Sequence, residues 1–399
     1  MERRDFLQKV AITAAVASSA KLHAAAKTPS NPIQRRTLGK TGEKLSIIGF
    51  GGIVVMNEEP GAANNIVAEA VDRGINYFDV APSYGNAQER LGPALAPYRK
   101  NCFLACKTDG RLKEDSRKDL EQSLRLLKTD HLDLYQFHSL TKMTELDQVL
   151  GPGGAIETAE AAKKEGKIRF IGFSVHSVET ALAALDRYNF DTVLFPVNWV
   201  LFSQAYFGPQ ILKRAQEKQM GILALKAMAK TTWPSDQAKN HPEPKCWYQP
   251  ATFPDEASLG LRWTLSHPIT AAIPPGDERY FRLAMDVAQS YKPIEPHEEQ
   301  ALLAGGKASS PSSTCTTTYE CVSTPARRCV SSNLGISPRR CYPGRPDPEL
   351  VEGEGESGSP WTGLRPWGGS PDFWTWETMN IPTPQFHHPV KTRPLSRSR

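Results

Sequence analysis

A carboxylate, a phenol, an ammonium and an imidazole stand along this chain at points where apolar runs come to an end. In NYFDVAPSYGNAQERLG (residues 76–92) Asp79 and Tyr84 lie five positions apart, LACKT carries Lys107, and LDLYQFHS carries His138. Ser174 and Asn198 close two further runs. Groups of these types can pass a proton and steady the charge it leaves behind. Each has a plainer use when taken singly: Asp as a helix cap or salt-bridge partner, Tyr as packing, Lys as a surface charge, His as a hydrogen-bonded core residue. The plainer reading gives way only if one fold brings all four to a single mouth.

The elements that must position them alternate. Strands are predicted at LSIIGF (from 45), INYFDV (75), CFLACK (102), HLDLYQFH (131), IRFIGFS (168), TVLFPVN (192), GILALKAM (221) and ITAAIP (269). Helical patterns fall between them, among them NNIVAEAVDRG, SRKDLEQSLRLLKTD, AIETAEAAKKEGK, VETALAALDRY, PQILKRAQEKQ, DEASLGLRWTLSHP and ERYFRLAMDVAQSY. Eight strand and helix units predict an α/β fold, a (β/α)8 TIM barrel. An open doubly wound sheet is the rival, but it usually carries G-x-G-x-x-G after its first strand, and GFGGIV at 49–54 lacks the third glycine. IQRRTLGKTGEKLS, with Gly39 and Gly42 around a short turn, predicts an N-terminal hairpin closing the barrel bottom. Barrel chemistry sits at the C-terminal strand ends, which is where Asp79, Lys107, His138, Ser174 and Asn198 fall, with Tyr84 just beyond. Alternation puts Lys107 on the inward face with Phe103 and Ala105, and turns Cys102 and Cys106 toward the helices.

Composition bounds the rest. At 399 residues and 39% hydrophobic, the chain exceeds the roughly 250 residues of one barrel and predicts a large domain with extensions. A net charge of +5, with no basic block beside aromatics, argues against a nucleic-acid partner. No run approaches the roughly 20 apolar residues that span a bilayer, so no stable membrane insertion is expected. The first residues place Arg3 and Arg4 ahead of an apolar run and small residues up to Ala26, the order of a signal peptide, and the paired arginines resemble the twin-arginine export signal. Residues 1–30 are therefore assigned to a signal peptide and linker. The twin-arginine export machinery becomes an expected partner and the periplasm the expected location, with the cytoplasm if the signal is not used. Residues 31–305 form the expected barrel. Residues 306–399 turn to Ser, Thr, Cys, Pro, Gly, Trp and Arg, and are expected to be a low-complexity tail, disordered or read out of frame. The spacings of the seven cysteines match no metal pattern, and no metal site is predicted.

The ordered set FDVAPSYGNAQERLG, LACKT, LDLYQFHS, IRFIGFS and FPVN resembles the aldo-keto reductases over roughly residues 35 to 300. The resemblance implies that Asp79, Tyr84, Lys107 and His138 are catalytic. It implies NAD(P)H-dependent, reversible reduction of an aldehyde, ketone or sugar carbonyl, with Tyr84 as general acid. Lys107 is expected to lower the Tyr84 pKa, Asp79 to keep Lys107 charged, and His138 to donate a hydrogen bond to the carbonyl oxygen. NADP(H) is the implied cofactor, with NAD(H) possible. Its contacts are expected from Gly51, Ser174, Asn198, Lys226, Gly276 and Arg282, with Ser174 and Asn198 beside the nicotinamide carboxamide and the amides after Gly276 near a phosphate. The sequence departs from the family pattern at three points: Ser174 is followed by Val175, the aromatic expected after the seventh barrel strand is replaced by ALKAMAK, and IPPGDERYFR sets its basic residues out of register. A non-catalytic, nicotinamide-binding redox sensor on the same barrel is the alternative.

Overall fold

A hairpin leads into the fold. Strand β1 (Arg35–Thr37) pairs antiparallel with β2 (Lys44–Ser46), Arg35 opposite Ser46 and Thr37 opposite Lys44. The turn between them holds Gly39 at φ +48° and Gly42 at φ +77°, both in the left-handed region that favours glycine. At Gly39 a Cβ would lie 2.3 Å from backbone atoms of Met220 and Gly221, so glycine alone lets this turn press on the barrel. Leu38 and Leu45, completely buried, join Tyr77, Phe103, Leu134, Leu194 and Leu223 in the barrel interior. The predicted hairpin thus closes the bottom.

The computed structural model describes residues 31–204, 207–234, 236–237 and 240–306, all in the first of two compact units, Met1–Thr318. The expected leader at 1–30 and the tail beyond 306, with Cys315, Cys321, Cys329 and Cys341, lie outside the described residues. The barrel strands are β3 (Phe50–Gly51), β4 (Tyr77–Asp79), β5 (Phe103–Thr108), β6 (Leu132–Leu140), β7 (Ile168–Val175), β8 (Thr192–Pro196) and β9 (Gly221–Leu225). A small antiparallel ribbon, β10 (Ala229–Thr231) with β11 (Gln249–Pro250), follows before the last barrel strand, β12 (Ala271–Ile273). The eight barrel strands are parallel and hydrogen-bonded in chain order. An Ile48–Ala272 bridge closes the ring, with the Gly49 amide donating to Ala272 O and the Ala272 amide to Ile47 O, each at 2.9 Å. This is the (β/α)8 barrel expected.

The first expected strand proves to be two. Leu45 and Ser46 belong to the hairpin, Ile47 and Ile48 cross to the seam, and only Phe50–Gly51 pairs with β4, because the chain must pass from plug to wall within six residues. The helices lie close to their expected places, as with Lys113–Leu126, Val178–Arg187 and Glu278–Gln289. The Ser177 hydroxyl caps Val178–Arg187 by accepting from the Thr180 amide at 3.2 Å, and the helix turns Val178, Ala181, Ala184 and Leu185 to the barrel wall. Alternation holds along β5: Phe103 and Ala105 face the axis, while Leu104 and Cys106 join the layer under the helices. Burial pushes the thiols of Cys102 and Cys106 up to about 11, which makes both packing groups.

Candidate active site

Three adjacent strands carry the acidic, basic and imidazole groups to one rim. Asp79 ends β4, Lys107 is the next-to-last residue of β5, and His138 lies near the end of β6; all three are buried. Lys107 Nζ is ion-paired with Asp79 Oδ1 and lies 3.3 Å from Val80 O. Asp79 Oδ2 also accepts from Gln136 Nε2 at 2.9 Å and from the Tyr77 hydroxyl at 3.2 Å. A buried ion pair is held in place when its remaining lone pairs are satisfied in this way.

Tyr84 reaches the same rim through two tight turns. Its amide donates to Ala81 O at 3.2 Å and its carbonyl accepts from the Ala87 amide at 3.0 Å, where the next helix begins. The Lys107 ammonium lies 4.9 Å from the centre of the Tyr84 ring, and the His138 ring meets Tyr84 edge-on at 5.8 Å. A break in the β6–β7 register falls beside His138, at Ser139 with φ +52°, and such bulges re-aim the side chains next to them. The Ser139 amide donates to Ser174 Oγ at 2.7 Å, fixing Ser174 next to the imidazole strand.

The electrostatics differ from expectation at Tyr84. Burial raises its pKa, and although Lys107 works downward, Asp79 adds to the rise and the net direction is up. The ammonium does not overcome desolvation here, so the phenol keeps its proton at neutral pH. Burial also opposes charge on Lys107, but Asp79 and Tyr84 more than offset it and hold the ammonium well above the usual lysine range. His138 moves down, because burial outweighs its bond to Asp109.

The positions expected to hold cofactor divide into two groups. Gly51 ends β3, Ser174 is the next-to-last residue of β7, and Asn198 and Lys226 follow β8 and β9, on the rim that carries the four. Asn198 Nδ2 donates to Lys226 O at 3.1 Å and its Oδ1 accepts from the Leu201 amide at 2.9 Å, so its amide braces the loops after β8 and β9. Lys226 has φ +58°, its pKa is lowered to about 8 by burial, and its Nζ lies 5.9 Å from the Tyr248 ring. Gly276 presents no open cradle, since a Cβ there would lie 2.3 Å from Ile53 Cγ2 and 2.9 Å from Lys245 O. Beyond it, Asp277 caps the Arg279 amide at 2.9 Å. Arg282 is not brought to the rim: it lies in the second turn of Glu278–Gln289 and is ion-paired with Glu69 and Glu278 at 2.9 and 2.7 Å. Judged by its donors, the rim suits the nicotinamide end of a dinucleotide, with a Ser174 hydroxyl and a Lys226 cation in place. Toward a phosphate end, Arg279 and Arg282 are both already bound to carboxylates.

Sequence reasoning passed over several residues that shape the site. Gln136 and Tyr77 lie two positions before His138 and Asp79, on the inward parity, and that parity was the available signal. Asp109 follows β5, with its Oδ1 2.6 Å from His138 Nδ1. Trp247 and Tyr248, from the loop between β10 and β11, bring aromatic rings to the rim where β9 has none, Trp247 at 6.3 Å from Tyr84. A hollow of about 1100 Å³ opens at the opposite end, between Arg99, Cys102, His131, Asp133 and Arg169. Of its arginines, Arg99 is paired with Asp133 and Arg169 with Asp133 and Glu43, and none of the four residues of the rim lines it.

A barrel that seats such a set at its strand ends belongs to the α/β-barrel enzymes, and comparison with known proteins narrows the class. The aldo/keto reductase family matches residues 48–251, just over half of the chain, and the protein belongs to that family of oxidoreductases. It is 29% identical over 223 residues to the uncharacterized oxidoreductase YqkF of Bacillus subtilis, a match covering 52% of this chain and 69% of that protein. It is also 29% identical over 218 residues to L-galactose dehydrogenase of Arabidopsis thaliana, covering 49% of this chain and 66% of that one. In fold it is similar to the holo form of an aldo-keto reductase from Bacillus halodurans, with a TM-score of 0.55, 22% identity, and coverage of 70% of this chain and 98% of that chain. At that identity the likeness bears on the fold alone.

Proposed function

We propose that the protein reduces an aldehyde, ketone or sugar carbonyl to its alcohol, reversibly, with a nicotinamide dinucleotide and with Tyr84 as the acid. NADP(H) is the favoured cofactor, with NAD(H) as the second. The observation that carries this reading is the Lys107 ammonium, fixed on Asp79 and standing 4.9 Å from the centre of the Tyr84 ring. When bound, the dinucleotide supplies a hydride, and the chain supplies the proton and the geometry. Ser174 and Asn198 would hold its nicotinamide end, with Gly51 and Lys226 on the same rim. Tyr84, kept protonated by burial, gives its proton to the carbonyl oxygen as negative charge develops there. Lys107 then faces the phenolate with a full positive charge, and Asp79 keeps that charge from shifting away. Family membership supports the reaction class, and the similarity to L-galactose dehydrogenase supports keeping sugars among the candidates.

Tyr84→Phe is expected to lose turnover by a factor on the order of 10²–10⁴ while dinucleotide binding persists, measured by nicotinamide absorbance and by titration of the purified chain. Unchanged turnover would remove Tyr84 from the reaction. Tight dinucleotide binding with negligible turnover across a carbonyl panel would favour the redox-sensing alternative. Export by the twin-arginine route belongs to the same proposal; replacing Arg3 and Arg4 by Lys should hold the protein in the cytoplasmic fraction, and unchanged fractionation would count against it.

A further inference from the structure

His138 has a partner that the proton chemistry above does not use. Asp109 Oδ1 stands 2.6 Å from His138 Nδ1, and Ser83 Oγ lies 3.4 Å from the same nitrogen. The carboxylate is an acceptor: although burial works upward, bonds from His138 and Ser83 and the charges of His138 and Arg111 hold Asp109 below the ordinary carboxylate range. Its backbone is pinned as well. The Asp109 and Gly110 amides donate to Asp119 Oδ2 at 3.0 and 3.1 Å, and the Thr108 hydroxyl joins them at 2.8 Å. A carboxylate only accepts, so the ring nitrogen facing it must carry the hydrogen. A histidine whose one nitrogen is bound in this way has its tautomer set by that bond.

We propose that Asp109 is a positioning residue that fixes His138 as the Nδ1–H tautomer, so that Nε2 accepts when the ring is neutral and donates only when the ring is an imidazolium. The inference rests on the carbonyl-reduction reading and refines it. In the reduction direction, a hydrogen bond from His138 to a carbonyl oxygen needs the second proton, on Nε2. In the oxidation direction, the neutral ring donates nothing to the alcohol oxygen and leaves its one hydroxyl proton to Tyr84, with no proton moved onto or off Asp109. Reduction and oxidation then call on two charge states of one ring. Among the charged and titratable groups around His138 are Asp109 after β5, which Arg111 in turn faces, Lys107 on β5, Asp79 on β4, Tyr84 in the turn after β4, and His176 after β7.

The test is nitrogen NMR of histidine-labelled full-length chain, together with the pH profile of kcat/KM for reduction. In the wild type, His138 is expected to show a protonated Nδ1 and an unprotonated Nε2 above its titration. Reduction should fall about tenfold per pH unit on that limb. Asp109→Ala should move His138 to the Nε2–H tautomer and flatten the limb. Asp109→Asn, which keeps an acceptor oxygen and removes the charge, should retain the Nδ1–H tautomer and lower the midpoint of the ring's titration. A wild-type ring protonated on Nε2, or a tautomer and midpoint unmoved in both variants, overturns the proposal. The tautomer reading needs no turnover, so an enzyme inactive on every carbonyl would defeat the reduction reading and leave this inference to be decided on its own.

Discussion

Lys107 and Lys226 share one rim and meet opposite electrostatic fates. Lys107 has the Asp79 carboxylate against it and stays charged, whereas burial alone takes Lys226 from 10.5 down to about 8. For Lys226 the folded value lies below the unfolded one, so between those values the unfolded chain binds more protons than the folded chain. Stability therefore rises as pH climbs from about 8 toward 10.5, and below about 8 the cost of the buried charge is fully present. Lys226→Met is expected to be more stable than wild type at pH near 7, with the gap narrowing across that window, as read from urea unfolding at a series of pH values. A gap independent of pH would mean that the lysine stays charged in the fold. At this scale the sequence was informative about residue type and poor about partners. Asp79, Lys107 and His138 could be placed by counting inward positions to the strand ends, with Tyr84 in the turn just beyond the first of them. Asp109 could not, because the path of a loop beyond a strand end is set by Asp119, ten residues on along the next helix.

The elements show where local pattern suffices and where distant contacts decide. Val178–Arg187 could be read from its apolar spacing and its Ser177 cap, and β5 from its alternation. The helix Ala87–Leu95 is hard to read locally, since Gly92 and Pro93 interrupt any helical pattern. Arg282 was expected at the cofactor because the family resemblance implies basic residues there after the last barrel strand; its partner Glu69 is 213 residues away, on the first barrel helix. The hairpin turn allows a direct test. Gly42 has positive φ and open space around it, whereas Gly39 has positive φ and backbone at 2.3 Å. Gly42→Ala should cost about 1 kcal/mol, the ordinary charge for a left-handed residue, and Gly39→Ala distinctly more, because the plug must also lift from the barrel. Equal melting shifts for the two would show that the plug contributes nothing beyond its turn.

Across the whole barrel, the neighbouring pairs of strands are not equally joined. β6 and β7 pair along most of their length, while the β3 and β12 segments share, among the described residues, the Ile48–Ala272 bridge and two backbone hydrogen bonds. The loop between β10 and β11 spans the two sides of that thin seam. Lys245 reaches Val54 O at 2.8 Å and Glu58 at 2.6 Å, just after β3, while Glu243 holds Arg279 at 2.5 Å and the Tyr280 hydroxyl at 3.1 Å, just after β12. The same loop brings Trp247 and Tyr248 to the rim. It therefore works as a buckle as well as a wall, tying the first unit of the ring to the last alongside the Arg282–Glu69 pair. Lys245→Ala should speed hydrogen exchange at the Gly49 and Ala272 amides and leave β5 and β6 as slow as before, a local opening short of unfolding. Any substrate or dinucleotide that loosens or tightens this loop would then be felt at the seam, as a change in how often the ring breathes.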